Sequence, residues 1–83
     1  MKSWFLYILE CADGTLYTGI TVDPERRLAE HNNGTGAKYT RARLPVAMVY
    51  CTPVSDRSEA SRLEYRIKKL SRTAKLALIN AAP

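Results

Sequence analysis

The chain has 83 residues, 46% of them hydrophobic, and its 13 Lys and Arg against 8 Asp and Glu give a formal net charge of +5. This length accommodates one packed domain and excludes two, so we expect a single domain over residues 1–83. No run approaches the roughly 20 apolar residues that a membrane-spanning helix needs. The first apolar run, Trp4 to Leu9, is also too short for a signal peptide, so we expect a cytoplasmic protein with no membrane partner.

The positive charge is concentrated in two parts of the chain. The segment Arg57 to Lys75 holds seven basic residues and two acidic ones, whereas the other residues balance at six of each. Such asymmetry favours a polyanion as partner, because each phosphate that Lys or Arg neutralises releases condensed counterions. The alternative is a solvated helix face whose surplus charge serves solubility. The second basic cluster consists of Arg26, Arg27, Lys38, Arg41 and Arg43.

The two cysteines, Cys11 and Cys51, are far apart and belong to no C-x-x-C motif. They therefore indicate neither a disulfide framework nor a zinc site. We expect both to be buried and reduced, which is the usual state of a free cysteine.

Two short apolar segments are predicted to form a hairpin. Residues 4–9 are aromatic and branched, and residues 15–20 follow a turn that ends at Gly14. A three-residue connection with Gly14 in the left-handed conformation places Tyr7 opposite Gly19 and Tyr17 opposite Leu9. The two phenols then project from the same face of the sheet, whereas a two-residue connection would put them on opposite faces.

The first helix has strong boundary signals. Asp23-Pro24-Glu25 provides a carboxylate N-cap, a proline at the first helical position and an acid in the first turn. The helix should run to about Asn32 and stop at Gly34. Within it, Arg27 and His31 are four residues apart, so they lie on one stripe of the helix.

The remaining elements follow a polar, basic connection over residues 35–45. Residues 46–51 are predicted as a third strand ended by Pro53. Ser58, or Ser55 before it, is predicted to cap a helix that continues to about Ser71, and a last helix should span Thr73 to about Asn80. The predicted fold is α/β, with a small three-stranded antiparallel sheet flanked by helices in the order β-β-α-β-α-α.

Glu64 has a distinctive position on the predicted third helix. The apolar residues of this helix form one stripe, and Glu64 falls roughly 80° from its centre. A carboxylate on this shoulder can ligate a metal ion; the alternative is a surface ion pair with Lys68 at i+4. The stripe consists of Ala60, Leu63, Ile67 and Leu70.

These side chains match the needs of phosphodiester hydrolysis. A single histidine and these spacings provide no Ser-His-Asp or Cys-His set. Hydrolysis at phosphorus requires a base for water, a cation for the developing charge and a carboxylate that holds Mg²⁺. Two tyrosines, an Arg and a His one turn apart and a separate Glu can supply those groups. One carboxylate is enough, because Mg²⁺ takes its other ligands from water and substrate oxygens.

The order of these residues resembles the GIY-YIG nuclease family. Phe5-Leu6-Tyr7 and Tyr17-Thr18-Gly19 stand where the family has the two tripeptides of its name, although neither tripeptide is literal here. The segments 34–41 and 64–69 resemble the small stand-alone bacterial members. The resemblance covers nearly the whole chain and implies a GIY-YIG-like fold.

The resemblance also implies a divalent-metal-dependent nuclease acting on DNA, with Mg²⁺ or Mn²⁺ as cofactor. Tyr7 and Tyr17 take the places of the two motif tyrosines, either of which could act as general base. Arg27, ten residues past Tyr17, takes the place of the catalytic arginine, and His31 that of a hydrogen-bonding His or Tyr. Glu64 takes the place of the metal-binding glutamate. The alternatives are core packing for the tyrosines, a surface charge for Arg27 and a helix-end cation for His31.

Nucleic acid, DNA in the first place, is the expected partner. A basic loop that carries an aromatic residue suits phosphate contact and base stacking, and basic residues continue along the later helix. So small a footprint favours recognition of substrate shape over a long sequence readout. Two rival functions are a non-catalytic nucleic-acid-binding adaptor and a protein whose basic helix binds an acidic protein. The predicted nucleic-acid contacts are Lys38, Tyr39, Arg41, Arg43, Arg66, Lys68 and Lys69.

Overall fold

The computed structural model describes residues 3–81. Three strands form one sheet in the order β2-β1-β3, and both strand pairs are antiparallel. The predicted α/β fold with a three-stranded antiparallel sheet is therefore confirmed. The elements are β1 Trp4–Glu10, β2 Leu16–Thr21, α1 Pro24–Asn32, α2 Lys38–Arg41, β3 Ala47–Val54, α3 Arg57–Lys68 and α4 Arg72–Ala81.

The central strand β1 is covered on both faces. On one face, Tyr7 and Leu9 pack against Leu28 of α1. On the other, Leu6 and Ile8 pack against Ile67 of α3 and against the apolar side of α4. Residues 6–9 are each at most 1% exposed, which explains why this strand shows a continuous apolar run instead of alternation. The sheet thus separates α1 from α3 and α4.

The hairpin between β1 and β2 has the predicted register. Tyr7 is paired with Gly19, and Leu9 is paired with Tyr17. The connection closes with a hydrogen bond from the Cys11 amide to the Thr15 carbonyl, and Gly14 adopts a positive φ of 84°. Because side chains alternate along a strand, this register places both phenols on the α1 face of the sheet.

Helix α1 also begins and ends as predicted. The Asp23 carboxylate accepts a hydrogen bond from the Arg26 amide at 3.1 Å, and Pro24 occupies the first turn. At the other end Gly34 has a φ of 80°, and its amide donates to the His31 carbonyl. These local interactions hold Arg27 and His31 on one side of a short, well-delimited helix.

The connection between α1 and β3 differs from the prediction. Residues 38–41 form the short helix α2 in a region predicted to be a loop, so the observed order is β-β-α-α-β-α-α. This helix has no side-chain hydrogen bond at its N-cap, and its local signals are weak. It is held instead by Thr40, which is fully buried against α1. The cause of the helix is therefore a tertiary contact.

Two predicted boundaries near β3 and α3 were wrong. Strand β3 continues through Pro53 to Val54, because it is an edge strand, where a missing amide hydrogen is tolerated. The N-cap of α3 is Asp56 and not Ser58 or Ser55: its carboxylate accepts the Glu59 amide at 2.8 Å.

Two burial predictions were also wrong. Helix α3 ends at Lys68, so Leu70 lies beyond the apolar stripe and is 40% exposed. Cys11 is buried as expected, whereas Cys51 on β3 is exposed.

Thr18 differs from the other buried polar side chains in its hydrogen bonding. It is 3% exposed, and among residues 3–81 its hydroxyl is the buried side-chain group that lacks a hydrogen-bond partner. Leaving a buried hydroxyl unpaired costs free energy, and valine has the same shape without the hydroxyl. We expect Thr18→Val to raise the free energy of unfolding by about 1 kcal/mol, measured by urea denaturation. A loss of stability would show that the hydroxyl has a partner in solution.

Candidate active site

Tyr7 lies under the strand β2, in a space that Gly19 leaves open. The tyrosine is 1% exposed, and a Cβ at position 19 would lie 2.6 Å from the Tyr7 Cζ. Any side chain at position 19 would therefore displace the phenol. The sheet irregularity is elsewhere, between β1 and β3 at Ile8 and Leu9, so a bulge does not explain this glycine.

The Tyr7 hydroxyl belongs to a buried chain of hydrogen bonds that crosses three elements. Its oxygen is 2.9 Å from the Nε2 of His31, and the Nδ1 of His31 is 2.8 Å from the Oγ1 of Thr40. His31 and Thr40 are both 0% exposed. The surroundings are close-packed: a Cβ on Gly36 would lie 2.9 Å from the His31 Cα. His31 is therefore a core residue with two assigned partners, and not a cation at the helix end.

Burial shifts the pKa values of Tyr7 and His31, and neighbouring charges modify both shifts. Burial raises the pKa of Tyr7, and hydrogen bonding and charge from Arg27 partly oppose that increase. The Glu64 carboxylate adds a smaller increase to the pKa of Tyr7, so α3 places Glu64 within electrostatic range of the phenol. Burial also lowers the pKa of His31, and Arg27 lowers it further while Glu30 opposes the change. Both buried groups are accordingly neutral near pH 7.

Tyr17 lies beside this chain of hydrogen bonds, and its ring stacks on a second aromatic residue. Its ring meets the His31 ring edge-on, with 5.5 Å between centroids, and stacks on Tyr39 at 5.8 Å. The Arg43 guanidinium covers the Tyr39 ring at 4.0 Å and also pairs with Asp13 at 3.1 Å. Tyr17 is half-buried and Tyr39 is 40% exposed, so this stack forms a rim around the buried groups.

Arg27 is held at the site by an acidic neighbour. Its Nη1 lies 3.0 Å from Glu30, whose other oxygen is 3.3 Å from Arg26. The Arg27 side chain is 32% exposed, against 75% for Arg26. Hydrogen bonding to Tyr7 and to Glu30 raises the pKa of Arg27 despite partial burial. The guanidinium is therefore permanently charged and faces both the phenol and solvent.

Glu64 forms the ion pair with Lys68 that the sequence offered as the alternative to metal binding. Its Oε2 is 3.2 Å from the Nζ of Lys68, and its side chain is 23% exposed. Within residues 3–81, no three His, Cys, Asp or Glu side chains converge on a common point. Glu64 fits a site in which the protein supplies one carboxylate and the other ligands are water and substrate oxygens.

The predicted nucleic-acid contacts fall into two groups. Lys38 and Arg41 are exposed on α2 beside the aromatic rim. Arg66 is exposed on α3 and, with Ser61, Arg62 and Tyr65, lines a surface groove of about 400 Å³. The Lys69 ammonium lies 4.4 Å from the Tyr65 ring, which is 61% exposed. Lys68 and Arg43 are already engaged with carboxylates.

Two residues of this region were not predicted from the sequence as part of the site. Thr40 and Tyr65 were not singled out, although Thr40 lies within the basic loop and Tyr65 follows Glu64 directly. No helical pattern marks Thr40, because α2 has only four residues. Tyr65 had a usable signal: it falls on the side of the helix opposite the apolar stripe, where an aromatic side chain is exposed, and Arg62, Lys68 and Lys69 lie three or four residues away.

Comparison with known proteins assigns the family. The model of the GIY-YIG catalytic domain matches residues 3–77. The chain belongs to the GIY-YIG family. A UPF0213 protein of Desulfotalea psychrophila is 57% identical over 81 residues, which cover 96% of this chain and 74% of that protein. A UPF0213 protein of Halobacterium salinarum is 58% identical over 73 residues, covering 88% and 95% respectively.

A solved structure extends the comparison to three dimensions. The solution structure of a UPF0213 protein from Bacillus halodurans is 46% identical, covers 94% of this chain and 83% of its own, and superposes with a TM-score of 0.61. This GIY-YIG chain thus shares its fold with a small UPF0213 protein. Among the described residues, no helix is both long enough and apolar enough to cross a membrane.

The lowered pKa of His31 predicts a specific pH dependence of stability. An unfolded histidine has a pKa of about 6.5, so below that pH the unfolded chain binds a proton that the folded chain resists. The free energy of unfolding should therefore be constant above about pH 7 and fall as the pH drops from about 6.5 through the lower pKa of the folded state. Urea denaturation between about pH 5 and pH 8 tests this expectation.

His31→Gln serves as the control for that experiment. The variant has no histidine, so the slope between about pH 5 and pH 6.5 should disappear. Asp13 and Glu30 do not interfere, because their pKa values are lowered and they titrate below the window. An equal slope in both proteins would assign the pH dependence to other groups.

Proposed function

We propose that this protein is a divalent-metal-dependent nuclease that hydrolyses phosphodiester bonds in DNA. The observation that carries the proposal is the buried Tyr7–His31 hydrogen bond with the Arg27 guanidinium acting on the same phenol. A family match alone supplies the fold, whereas this arrangement supplies a proton acceptor and a cation at one hydroxyl. Those are the two groups that a phenol needs in order to become a base.

Tyr7 is assigned as the general base. Because Tyr7 is 1% exposed, substrate binding has to bring one water molecule to its hydroxyl. The Tyr7 proton then passes to the His31 Nε2, the phenolate accepts a proton from that water, and the hydroxide attacks phosphorus in line with the leaving oxygen. Arg27 stabilises the phenolate by its charge, which partly offsets the cost of burial. Among the described residues, the Tyr17 hydroxyl makes no comparable hydrogen bond, so Tyr17 is assigned to the rim that positions the substrate.

Arg27 and Glu64 serve the charged groups of the reaction. The exposed side of the Arg27 guanidinium faces the place where negative charge develops on the phosphoryl oxygens. Glu64 would hold Mg²⁺ or Mn²⁺, which supplies Lewis-acid polarisation of the phosphate when bound. A metal ion held by Glu64 would compete with Lys68 for the carboxylate and would leave the Lys68 ammonium free for a neighbouring phosphate.

The surface charge supports binding to a nucleic acid. Lys38 and Arg41 extend from the aromatic rim on one side, and Arg62, Arg66 and Lys69 surround Tyr65 on α3. Phosphate contacts of this kind position a nucleic acid without reading its sequence. We therefore propose a preference for substrate shape rather than for base sequence.

Replacing Glu64 tests the metal-dependent reaction. Glu64→Ala should abolish cleavage of labelled single-stranded, duplex, flapped and branched DNA in the presence of Mg²⁺ or Mn²⁺. Its fold should persist, because a partly exposed ion pair contributes less than about 1 kcal/mol. Glu25→Ala, which removes an exposed carboxylate from α1, is the matched control. Cleavage by Glu64→Ala that EDTA still inhibits would contradict the metal assignment.

The two arginines that share Glu30 provide a second matched pair. Arg27→Ala should lower kcat by about 10²- to 10³-fold, the effect of removing one charge-stabilising donor, with little change in KM. Arg26→Ala removes the same charge from the more exposed position and should leave kcat near the wild-type value. Equal losses of affinity in both variants would recast Arg27 as a binding residue.

A non-catalytic nucleic-acid-binding module is the second candidate. The observation that favours it is the Glu64–Lys68 ion pair, in which the carboxylate is already neutralised. Salt-sensitive binding without metal-dependent turnover, equal in the wild-type protein and Glu64→Ala, would select this function over the nuclease.

A further inference from the structure

Thr40 is the last side chain in the buried hydrogen-bond chain, and its own bonding decides the state of His31. The Thr40 Oγ1 lies 2.9 Å from the Ala37 carbonyl, which can only accept a hydrogen bond. A hydroxyl has one proton, so when that proton is donated to Ala37 the oxygen must accept the hydrogen bond from His31 at 2.8 Å.

The direction of these bonds selects one tautomer of the imidazole. With the Thr40 hydroxyl donating to Ala37, beside the amides of Thr40 and Arg41 that the same carbonyl accepts, the Nδ1 of His31 carries the proton that Thr40 accepts. In the neutral ring the Nε2 is then a lone pair. That lone pair faces the Tyr7 hydroxyl at 2.9 Å. The sequence of donors therefore runs from Tyr7 to His31, from His31 to Thr40 and from Thr40 to the Ala37 carbonyl.

We infer that Thr40 is a positioning residue that holds His31 in the Nδ1–H tautomer, so that its Nε2 can take the Tyr7 proton. The inference rests on the proposed function, because the proton transfer from Tyr7 to His31 is a step of the proposed reaction. In that step the O–H bond of Tyr7 breaks and an N–H bond forms at Nε2, which leaves a phenolate and an imidazolium. Thr40 accepts from Nδ1–H both before and after the transfer, so it needs no rearrangement.

The location of Thr40 separates this role from substrate contact. It is 0% exposed and lies on the short helix α2, whose neighbouring residues Tyr39 and Arg41 are exposed. Thr40 therefore does not touch a substrate itself. A change at Thr40 acts either on the proton positions of His31 or on the placement of α2, and an effect through α2 would change KM because Tyr39 and Arg41 lie on that helix. The opposite tautomer would place a lone pair against Thr40 and a proton against Tyr7, so Nε2 could not accept from the phenol.

The tautomer can be observed directly, because the chain has a single histidine. In protein labelled with ¹⁵N-histidine, long-range proton–nitrogen correlation spectra identify the protonated ring nitrogen by the chemical shifts of the two ring nitrogens. At about pH 7.5, where a histidine near its ordinary pKa is mostly neutral, we expect the wild-type protein to carry the proton on Nδ1. An Nε2–H tautomer in the wild-type protein would overturn the inference before any variant is made.

Two substitutions at position 40 separate the hydroxyl from the shape of the side chain. Thr40→Val keeps the shape but removes the acceptor, so the Nδ1–H tautomer should lose its advantage and the Nε2–H form should appear. Thr40→Ser keeps the hydroxyl and should restore the wild-type spectrum. Thr18→Val is the matched control, since it removes a buried hydroxyl that has no partner among residues 3–81. An unchanged tautomer in Thr40→Val would contradict the inference.

The kinetic consequence is a separate readout. Thr40→Val should lower kcat by roughly tenfold to a hundredfold, the usual effect of losing a residue that orients a functional side chain, while KM stays unchanged. Thr40→Ser should recover most of that loss. If the wild-type protein cleaves no nucleic acid, the proposed nuclease function fails while the spectra still decide the role of Thr40. A fall in kcat without a tautomer change would overturn the positioning role.

Discussion

The buried hydrogen bond between Tyr7 and His31 is the interaction on which the candidate site depends. It joins the central strand to α1 across 24 residues of sequence, and both side chains are at most 1% exposed. In a low-dielectric interior such a bond is costly to leave unmade, so every neighbouring element is arranged around it. Gly19 leaves room for the phenol, Gly36 leaves room for the imidazole, and Thr40 occupies the remaining ring nitrogen.

Around this buried centre, the charged groups are neutralised by partners that a substrate complex could replace. Glu30 holds Arg27, and Lys68 holds Glu64, both at positions that are partly exposed. A phosphate can compete for the guanidinium, and a metal ion can compete for the carboxylate. Solvent-exposed pairs of this kind are weak, so exchanging one partner for another costs little.

Local signals were enough to predict much of the framework. The connection that ends at Gly14 set the register of the hairpin, and that register placed Tyr7 and Tyr17 on one face. Asp23 and Gly34 delimited α1, and the four-residue spacing of Arg27 and His31 followed from helical geometry. The predictions failed where the deciding contact is distant in sequence. Helix α2 depends on Thr40 meeting His31, and the exposure of Cys51 depends on which elements pack over β3.

The sequence by itself determined the fold class and the residue types available for chemistry, because periodicity, turns and caps are local properties of the chain. The order of its motif residues carried the resemblance to the GIY-YIG family. Only the tertiary structure decided which of those residues meet and in what protonation state. A hydrogen bond reaches about 3 Å, so its partners depend on how the sheet packs against α1 and α2. The tyrosine, the histidine and the threonine come from three different elements, and packing alone brings them into one chain of donors and acceptors.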